Sequence, residues 1–322
     1  MSYMKYSFVL PAYKAKYLKD AIDSILSQTY SQFELIIVND ASPEDIDSII
    51  YSCQDDRIKY YRNKNNKGGV DLVSQWNHCL GFADSEYVIL ASDDDVYVST
   101  YLEKMNALVE KYPNVNVFRP RVQHIDGHGE VSGVEAVMSE YVSEVEYHYY
   151  WLKNWIFRGI PFYVFKLSAL RDAGCFHSYP LAWCCDDDIV MRLIRQGMVT
   201  SSETLFSFRL SGISITSRKS SVKDVEQKSQ AIYMYFLELK GRLEQIRDSQ
   251  ISKSDKWLLA YLQKEVNINW INNEISNLCY KLSYLELLRL TTHLLSFDTI
   301  SYRELIKIHF RYIKHTLFNR SR

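Results

Sequence analysis

The stretch Glu86-Tyr-Val-Ile-Leu-Ala-Ser-Asp-Asp-Asp-Val96 decides the fold. Its apolar run, Tyr87 to Ala91, has the length and continuity of a strand buried on both faces, as in a parallel sheet. The run stops at three consecutive carboxylates, Asp93, Asp94 and Asp95. Side-by-side carboxylates repel one another and cannot all be buried in ionised form without a counter-charge. Hard divalent cations take oxygen ligands, and Mg²⁺ or Mn²⁺ held by one or two carboxylates usually shares itself with substrate phosphates. One reading is therefore a metal–diphosphate site at the carboxyl edge of a sheet, where open α/β sheets bind ligands. The other is a solvated acidic loop that caps the next helix.

Working outward, strands and helices alternate. Tyr6–Leu10 reads as a strand ended by Pro11, which cannot donate to a ladder. Leu18, Ala21, Ile22, Ile25 and Leu26 fall on one helical face. Phe33–Val38 reads as a second strand running into Asn39-Asp40-Ala41-Ser42, with Ser42 expected as an N-cap and Pro43 at the first helical position. Arg57–Tyr61 is expected as a third strand, and Asn63–Gly69 as a polar loop before a helix from Val70 to Phe82. After the acidic run, Ser99 is expected to cap a helix carrying Leu102, Met105, Leu108 and Val109. This alternation predicts an α/β protein with a doubly wound, mostly parallel sheet. Residues 121–150 are less regular, ending in an aromatic cluster, Tyr147 to Trp155. Then follow an expected strand at Pro161–Phe165, a short helix ending at Gly174, a helix over Asp186–Gln196 and a last strand at Leu205–Leu210. From Thr216 onward only amphipathic helices are expected. The division expected is 1–215 and 216–322, with the boundary in the Ser/Lys-rich stretch Thr216–Val222.

The 322 residues are 47% hydrophobic and 24% charged, an ordinary globular composition, and the net charge of -1 argues against nucleic-acid binding by bulk charge. The charge is uneven: residues 1–215 hold 20 basic and 28 acidic side chains, residues 216–322 hold 18 and 11. An acidic front and a basic back suggest modules with different neighbours. Six cysteines without CxxC or zinc spacing read as reduced thiols. The opening residues run straight into a strand without a signal-peptide pattern, and no apolar stretch reaches the ~20 residues of a spanning helix. A cytoplasmic protein is expected, or one peripheral at the inner face of the plasma membrane.

Several ordered motifs now bear on one family. Phe8-Val-Leu-Pro-Ala-Tyr13, Ile37-Val-Asn-Asp40-Ala-Ser42, Asn66-Lys-Gly68 with Trp76-Asn77, Ala91-Ser-Asp-Asp-Asp95, and Lys166 to Phe176 followed by Asp186-Asp-Asp-Ile-Val-Met-Arg192 stand in sequence. Together they resemble the family-2 glycosyltransferases, over residues 5–215. Lys14, Trp76, Ser99 and Cys185 stand where that pattern commonly has Asn, Arg, Pro and Glu. The resemblance implies a GT-A nucleotide-diphospho-sugar transferase fold. It also implies transfer of a sugar, with inversion, from a nucleotide-diphosphate donor such as a UDP-sugar to a hydroxyl of a growing polysaccharide or lipid-linked glycan. A non-catalytic sugar-nucleotide-binding or scaffold subunit is the alternative.

The resemblance also implies roles. Asp40 would accept from the base, on a floor formed by Pro11, Ala12 and Tyr13. Asn66 and Gly68 would shape the loop over the nucleotide, and Asp93 would lie near the ribose. Asp94 and Asp95 would hold Mn²⁺ or Mg²⁺, which offsets the leaving diphosphate's charge. Asp186, just before or in the first turn of a helix whose dipole favours its ionised form, would be the general base, with Asp187 as rival. Trp183 could stack on a sugar ring. Arg209 and Ser211 would close over the diphosphate. His124 and His128 read as surface histidines and Cys184-Cys185 as buried packing. In the last helices, apolar residues flanked by cations fit either an anionic membrane surface or packing on the catalytic domain or in a homodimer.

Overall fold

The computed structural model describes residues 4–210, 212, 221–246, 251–297 and 300–319. It divides into two compact units: Met1–Ser178 with Cys185–Ser217, and Tyr179–Cys184 with Arg218–Arg322. The expected boundary stretch and Ser211 lie largely outside the described residues.

The first unit is built on β1 (Tyr6–Ala12), β2 (Phe33–Asn39), β3 (Ile58–Arg62) and β4 (Tyr87–Leu90), interleaved with α1 (Leu18–Leu26), α2 (Ile46–Ser52) and α3 (Leu72–Leu80). These four strands pair in parallel in the order β3-β2-β1-β4. Every residue of β2 and β4 is buried, which is why Leu35–Val38 and Tyr87–Leu90 read as continuous apolar runs. Beyond β4 the sheet becomes mixed. It continues through β9 (Val164–Lys166), β6 (Val117–Ile125), β10 (Met198–Arg209) and the two-residue β5 (Val96–Tyr97), with β7 (Val131–Val134) on β6 and β8 (Tyr141–Val142) on β10. Antiparallel β9 carries the sheet from β4 to β6, while β6 and β10 run parallel. Helices α4 (Tyr101–Lys111), α5 (Glu144–Leu152), α6 (Leu167–Asp172) and α7 (Cys185–Leu193) complete the unit.

Several local readings change, among them the strand expected at Pro161–Phe165, which is a 3-10 turn at Ile160–Phe162 followed by β9. Helix α2 begins at Ile46 and is capped by Asp45, whose side chain accepts from Ser48 N–H. Ser42 turns the chain instead: its N–H donates to Asn39 Oδ1 and its hydroxyl donates to the Tyr13 carbonyl at 2.6 Å. Helix α4 starts after Thr100, with no side-chain cap, rather than after Ser99. The irregular 121–150 region holds most of β6, a nine-residue strand that begins at Val117 and contains Pro120. A proline cannot donate to a ladder, and β10 shifts register between Thr200 and Thr204, opposite Arg119 to Arg121. The proline interrupts the period-two pattern that would have revealed the strand.

Strand β6 also carries a fully buried ion pair. Arg119 Nη2 lies 2.9 and 2.8 Å from the two Glu135 oxygens, and Glu135 accepts further from the N–H groups of Val122 and Phe157. The guanidinium sits over the rings of Phe162 and Tyr163 at 5.7 and 5.6 Å.

The second unit contains α8 (Val222–Gln245), α9 (Lys253–Glu265), α10 (Ile268–Cys279), α11 (Tyr284–Leu294) and α12 (Tyr302–Asn319), joined by the 3-10 turn Pro180–Ala182. Ser221 and Ser283 form capping boxes with Asp224 and Glu286, fixing the starts of α8 and α11. Ile232, Phe236, Leu239, Ile271, Ile275, Leu290 and Ile308 lie in its core. No helix among the described residues is long and apolar enough to cross a membrane.

Removing one partner of a buried pair leaves an uncompensated charge. Glu135→Ala is expected to cost about 3–5 kcal/mol, while Arg119→Met with Glu135→Leu recovers only part of it, because the N–H groups of Val122 and Phe157 still lack an acceptor. Urea midpoints of the two variants measure this; equal midpoints would contradict it.

Candidate active site

The carboxyl ends of β2, β1, β4 and β10 are knitted together by the residues that the sequence singles out. At the end of β1, the N–H groups of Tyr13 and Lys14 donate to Asp93 Oδ2 at 3.0 and 2.9 Å. Asp40 N–H donates to the Ala12 carbonyl, linking β1 to β2. Pro11 is half-buried, Ala12 is buried and Tyr13 is exposed at the rim.

Asp40 is buried and organises the loop after β3. Its Oδ1 accepts from Asn63 Nδ2 and Lys67 N–H at 2.6 and 2.9 Å, and its Oδ2 from Gly68 N–H at 2.7 Å. A Cβ at position 68 would sit 3.0 Å from Asp40 Oδ2 and 3.4 Å from Leu72 Cδ1, so glycine lets the loop backbone approach the carboxylate. Asn66 folds back within the loop, its Oδ1 accepting from Gly69 N–H.

The three aspartates after β4 have different surroundings. Asp93 is committed to the β1 edge. Asp94 Oδ1 accepts from Ser92 Oγ at 2.6 Å. Asp95 is fully buried; its Oδ1 accepts from Arg209 N–H at 2.8 Å, and its Oδ2 has no hydrogen-bond partner among the described residues. Burial raises the Asp93 pKa, and burial together with the Asp94 charge holds that of Asp95 well above the ordinary carboxylate value. An orphaned, buried carboxylate oxygen beside a second carboxylate suits a divalent cation, whose charge would relieve both penalties. No group of three metal-ligating side chains is assembled among the described residues, so further ligands would have to come from substrate and water.

Arg209, at the end of β10, is buried beneath this run. Its Nε donates to the Asp94 carbonyl at 2.8 Å, and its guanidinium lies 4.3 Å over the Tyr17 ring. The sequence marks it as a phosphate-facing cation; in the structure it braces the aspartate turn.

The other acidic trio opens α7. Asp188 is paired with Arg192, whose guanidinium also reaches the carbonyls of Ala173 and Cys175. Asp187 is buried, accepting from Trp151 Nε1 at 2.8 Å, with Arg158 Nη1 at 3.5 Å. Asp186 is half-buried and, unlike Asp187 and Asp188, is met by backbone N–H groups and the Arg158 charge rather than by a side-chain hydrogen bond. Burial raises its pKa, opposed by the Arg158 charge and by the N–H groups of Asp187 and Asp186. Three non-glycine residues with left-handed backbone, Leu181 (φ 57°), Ala182 (φ 54°) and Cys184 (φ 67°), lead into this helix. Such strain persists where the surroundings over-determine the chain.

Asn77 clamps the Phe176 backbone from both sides, donating to its carbonyl at 2.8 Å and accepting its N–H at 3.1 Å, while Trp76 meets the Phe176 ring edge-on. His124 is not a free surface histidine: it stacks on Phe157 with ring centroids 3.5 Å apart. Within the second unit, Lys228 Nζ lies 4.3 Å over the Trp183 ring. Sequence reading misses Trp151, Arg158 and Asn63, because each meets its aspartate only through the tertiary fold.

A mostly parallel mixed sheet of this topology, flanked by helices, has the GT-A type of α/β fold. The model of glycosyl transferase family 2 matches residues 7–174, just over half of the chain, and the protein belongs to that family. Among its relatives, the putative glycosyltransferase EpsE of Bacillus subtilis (strain 168) is 37% identical over 117 residues, 35% of this chain and 41% of the relative. The GalNAc(5)-diNAcBac-PP-undecaprenol beta-1,3-glucosyltransferase of Campylobacter jejuni is 33% identical over 128 residues, again 35% and 41%. The match thus spans about two fifths of each relative's length. In fold, the chain is similar to S. aureus TarS 1-349 in complex with UDP, with TM-score 0.67 and 16% identity, covering 97% of this chain and 88% of that one. It is also similar to the mannosyltransferase PcManGT of Pyrobaculum calidifontis in complex with GDP-Man and Mn²⁺, with TM-score 0.52 and 14% identity, covering 99% and 87%.

Asp40→Asn replaces one acceptor oxygen by a donor facing the loop's own donors. The amides of Lys67 and Gly68 should then exchange with deuterium at least tenfold faster, as about 1.4 kcal/mol or more of hydrogen bonding is lost. Unchanged protection of both amides would show that Asp40 does not hold the loop.

Proposed function

We propose that this protein transfers a sugar, with inversion, from a nucleotide-diphosphate donor to a hydroxyl of a growing polysaccharide or lipid-linked glycan. Residues 1–215 would carry the catalysis, with 216–322 as a separate helical module. The observation that carries the proposal is the pair of acidic trios. In the first, Asp95 Oδ2 is buried without a hydrogen-bond partner among the described residues; in the second, side chains hold Asp187 and Asp188 while backbone N–H groups and the Arg158 charge face Asp186. A UDP-linked donor is favoured, because the related fold of TarS has been solved with UDP and with UDP-GlcNAc.

In this reading Pro11, Ala12 and Tyr13 bound the base pocket, and Asp40 holds the Asn66–Gly68 loop against the nucleotide. Asp93 fixes the β1 edge beside the ribose. Asp94 and Asp95 are the residues that would hold Mn²⁺ or Mg²⁺; Mn²⁺ accompanies GDP-Man in the related mannosyltransferase fold. When bound, that ion supplies Lewis-acid neutralisation of the departing diphosphate. Arg209 would hold Asp94 and Asp95 in position and complement the diphosphate charge.

Asp186 takes the proton of the acceptor hydroxyl as the oxygen attacks the anomeric carbon and the carbon–phosphate-oxygen bond breaks on the opposite side. The electron pair of that bond leaves with the nucleoside diphosphate. A raised carboxyl pKa makes Asp186 a stronger base once deprotonated. Asp187, pinned by Trp151 and Arg158, orients the first turn. General-base catalysis is typically worth about 10²–10⁴-fold.

Asp186→Asn should therefore lower kcat by that factor with donor affinity unchanged, whereas Asp94→Ala should abolish Mn²⁺-dependent donor binding measured by calorimetry. Transfer at the parental rate by Asp186→Asn would remove the base assignment. A parent chain that releases no UDP from any UDP-sugar with Mn²⁺ would favour a scaffold subunit instead.

The pH profile gives an independent check. The base works ionised, so activity falls as pH drops through the Asp186 pKa, above the usual carboxylate range. Arg158→Gln removes a charge that favours the ionised form, so the acid limb of kcat/KM should move to higher pH. A limb that stays in place, or moves to lower pH, would contradict the assignment.

A further inference from the structure

The second unit leaves one apolar helix face uncovered. On α12, Tyr302, Ile306, Phe310, Ile313 and Leu317 are 75%, 69%, 67%, 43% and 69% exposed. Spaced by four, four, three and four residues, they form one stripe along the helix. The opposite face is anchored: Leu305, Ile308 and Tyr312 are buried, and Tyr312 Oη donates to the Leu282 carbonyl at 2.7 Å. On α11, Leu285 and Leu288 are also exposed, at 71% and 45%.

The charge around this stripe has one sign. Arg303 and Lys314 are exposed and fall along its edge. Glu304, the single carboxylate within α12, is buried and is taken up by Asn272 and Lys307. From Lys281 to the end of the chain there are eight basic and three acidic residues.

We propose that the exposed face of α12 docks on an anionic lipid surface. The apolar stripe would enter the boundary between headgroups and acyl chains, and the flanking cations would meet lipid phosphates. A second copy fits less well, because pairing like stripes would bring two cationic edges together with no exposed carboxylate of α12 to answer them. The surface lies in residues that the proposed transfer reaction does not use, so the two readings stand or fall separately.

Flotation of the full chain tests the proposal, with phosphatidylcholine vesicles against vesicles containing about a third phosphatidylglycerol. At low salt at least tenfold more protein should float with the anionic vesicles, and high salt should release most of it. Ile306→Asp together with Phe310→Asp, and separately Arg303→Glu together with Lys314→Glu, should each reduce the floated fraction tenfold. Because all four side chains are exposed, melting temperatures should stay unchanged. Equal flotation with both vesicle types, or none with either, would overturn the proposal. So would a dimer in sedimentation that Ile306→Asp with Phe310→Asp dissociates, since that outcome gives the face to a second copy.

Discussion

The rest of the site depends on one carboxylate and two amides. Asp93, just past β4, accepts the N–H groups of Tyr13 and Lys14, just past β1. Neighbouring parallel strands leave their terminal backbone groups unpaired, and this contact satisfies two of them while drawing the strand ends together. Asp40 does the same one strand over, gathering the loop after β3. The crevice edge is thus built from acidic side chains satisfied by backbone donors. Such contacts can hold negative charge near a phosphate site without adding a competing cation.

This arrangement resolves an electrostatic difficulty. Three adjacent carboxylates are costly unless each finds a different answer. Asp93 is answered by backbone amides and Asp95 in part by Arg209 N–H, which leaves Asp95 Oδ2 unanswered. Helix α7 answers its trio with other partners: Arg192 for Asp188, Trp151 and Arg158 for Asp187, and backbone N–H groups with the Arg158 charge for Asp186. In the first trio one functional candidate, Asp95 Oδ2, is an atom that the fold leaves unsatisfied; in the second, Asp186 is met by backbone N–H groups and the Arg158 charge rather than by a side-chain hydrogen bond. Buried polar atoms without partners are uncommon, so they are informative where they occur.

Much of the first unit was legible because parallel strands buried on both faces leave continuous apolar runs, and β1, β2 and β4 lie where those runs predict. Strand β6 was not, since Pro120 breaks its pattern and the β10 register shift that accommodates the proline is a tertiary event. The two-residue β5 carries too little sequence to register. The family motifs placed Asp40, Asp93–Asp95 and Asp186 in the chain, but they could not tell which oxygens were already occupied. Arg209 is an example: the contacts of its guanidinium with Tyr17 and the Asp94 carbonyl are visible only in the fold. Likewise the hydrogen bond from Trp151, 36 residues earlier in the chain, to Asp187 is visible only in the fold.

The central claim is that the carboxylates at the end of β4 hold a divalent cation through which a nucleoside diphosphate is gripped. Anomalous scattering at the manganese edge, from crystals grown with Mn²⁺ and UDP, tests it most directly. The account predicts one strong peak bonded to Asp94 or Asp95 and to diphosphate oxygens, with the uracil beside Asp40. A peak away from both aspartates, or UDP bound outside the crevice between β1 and β4, would contradict it.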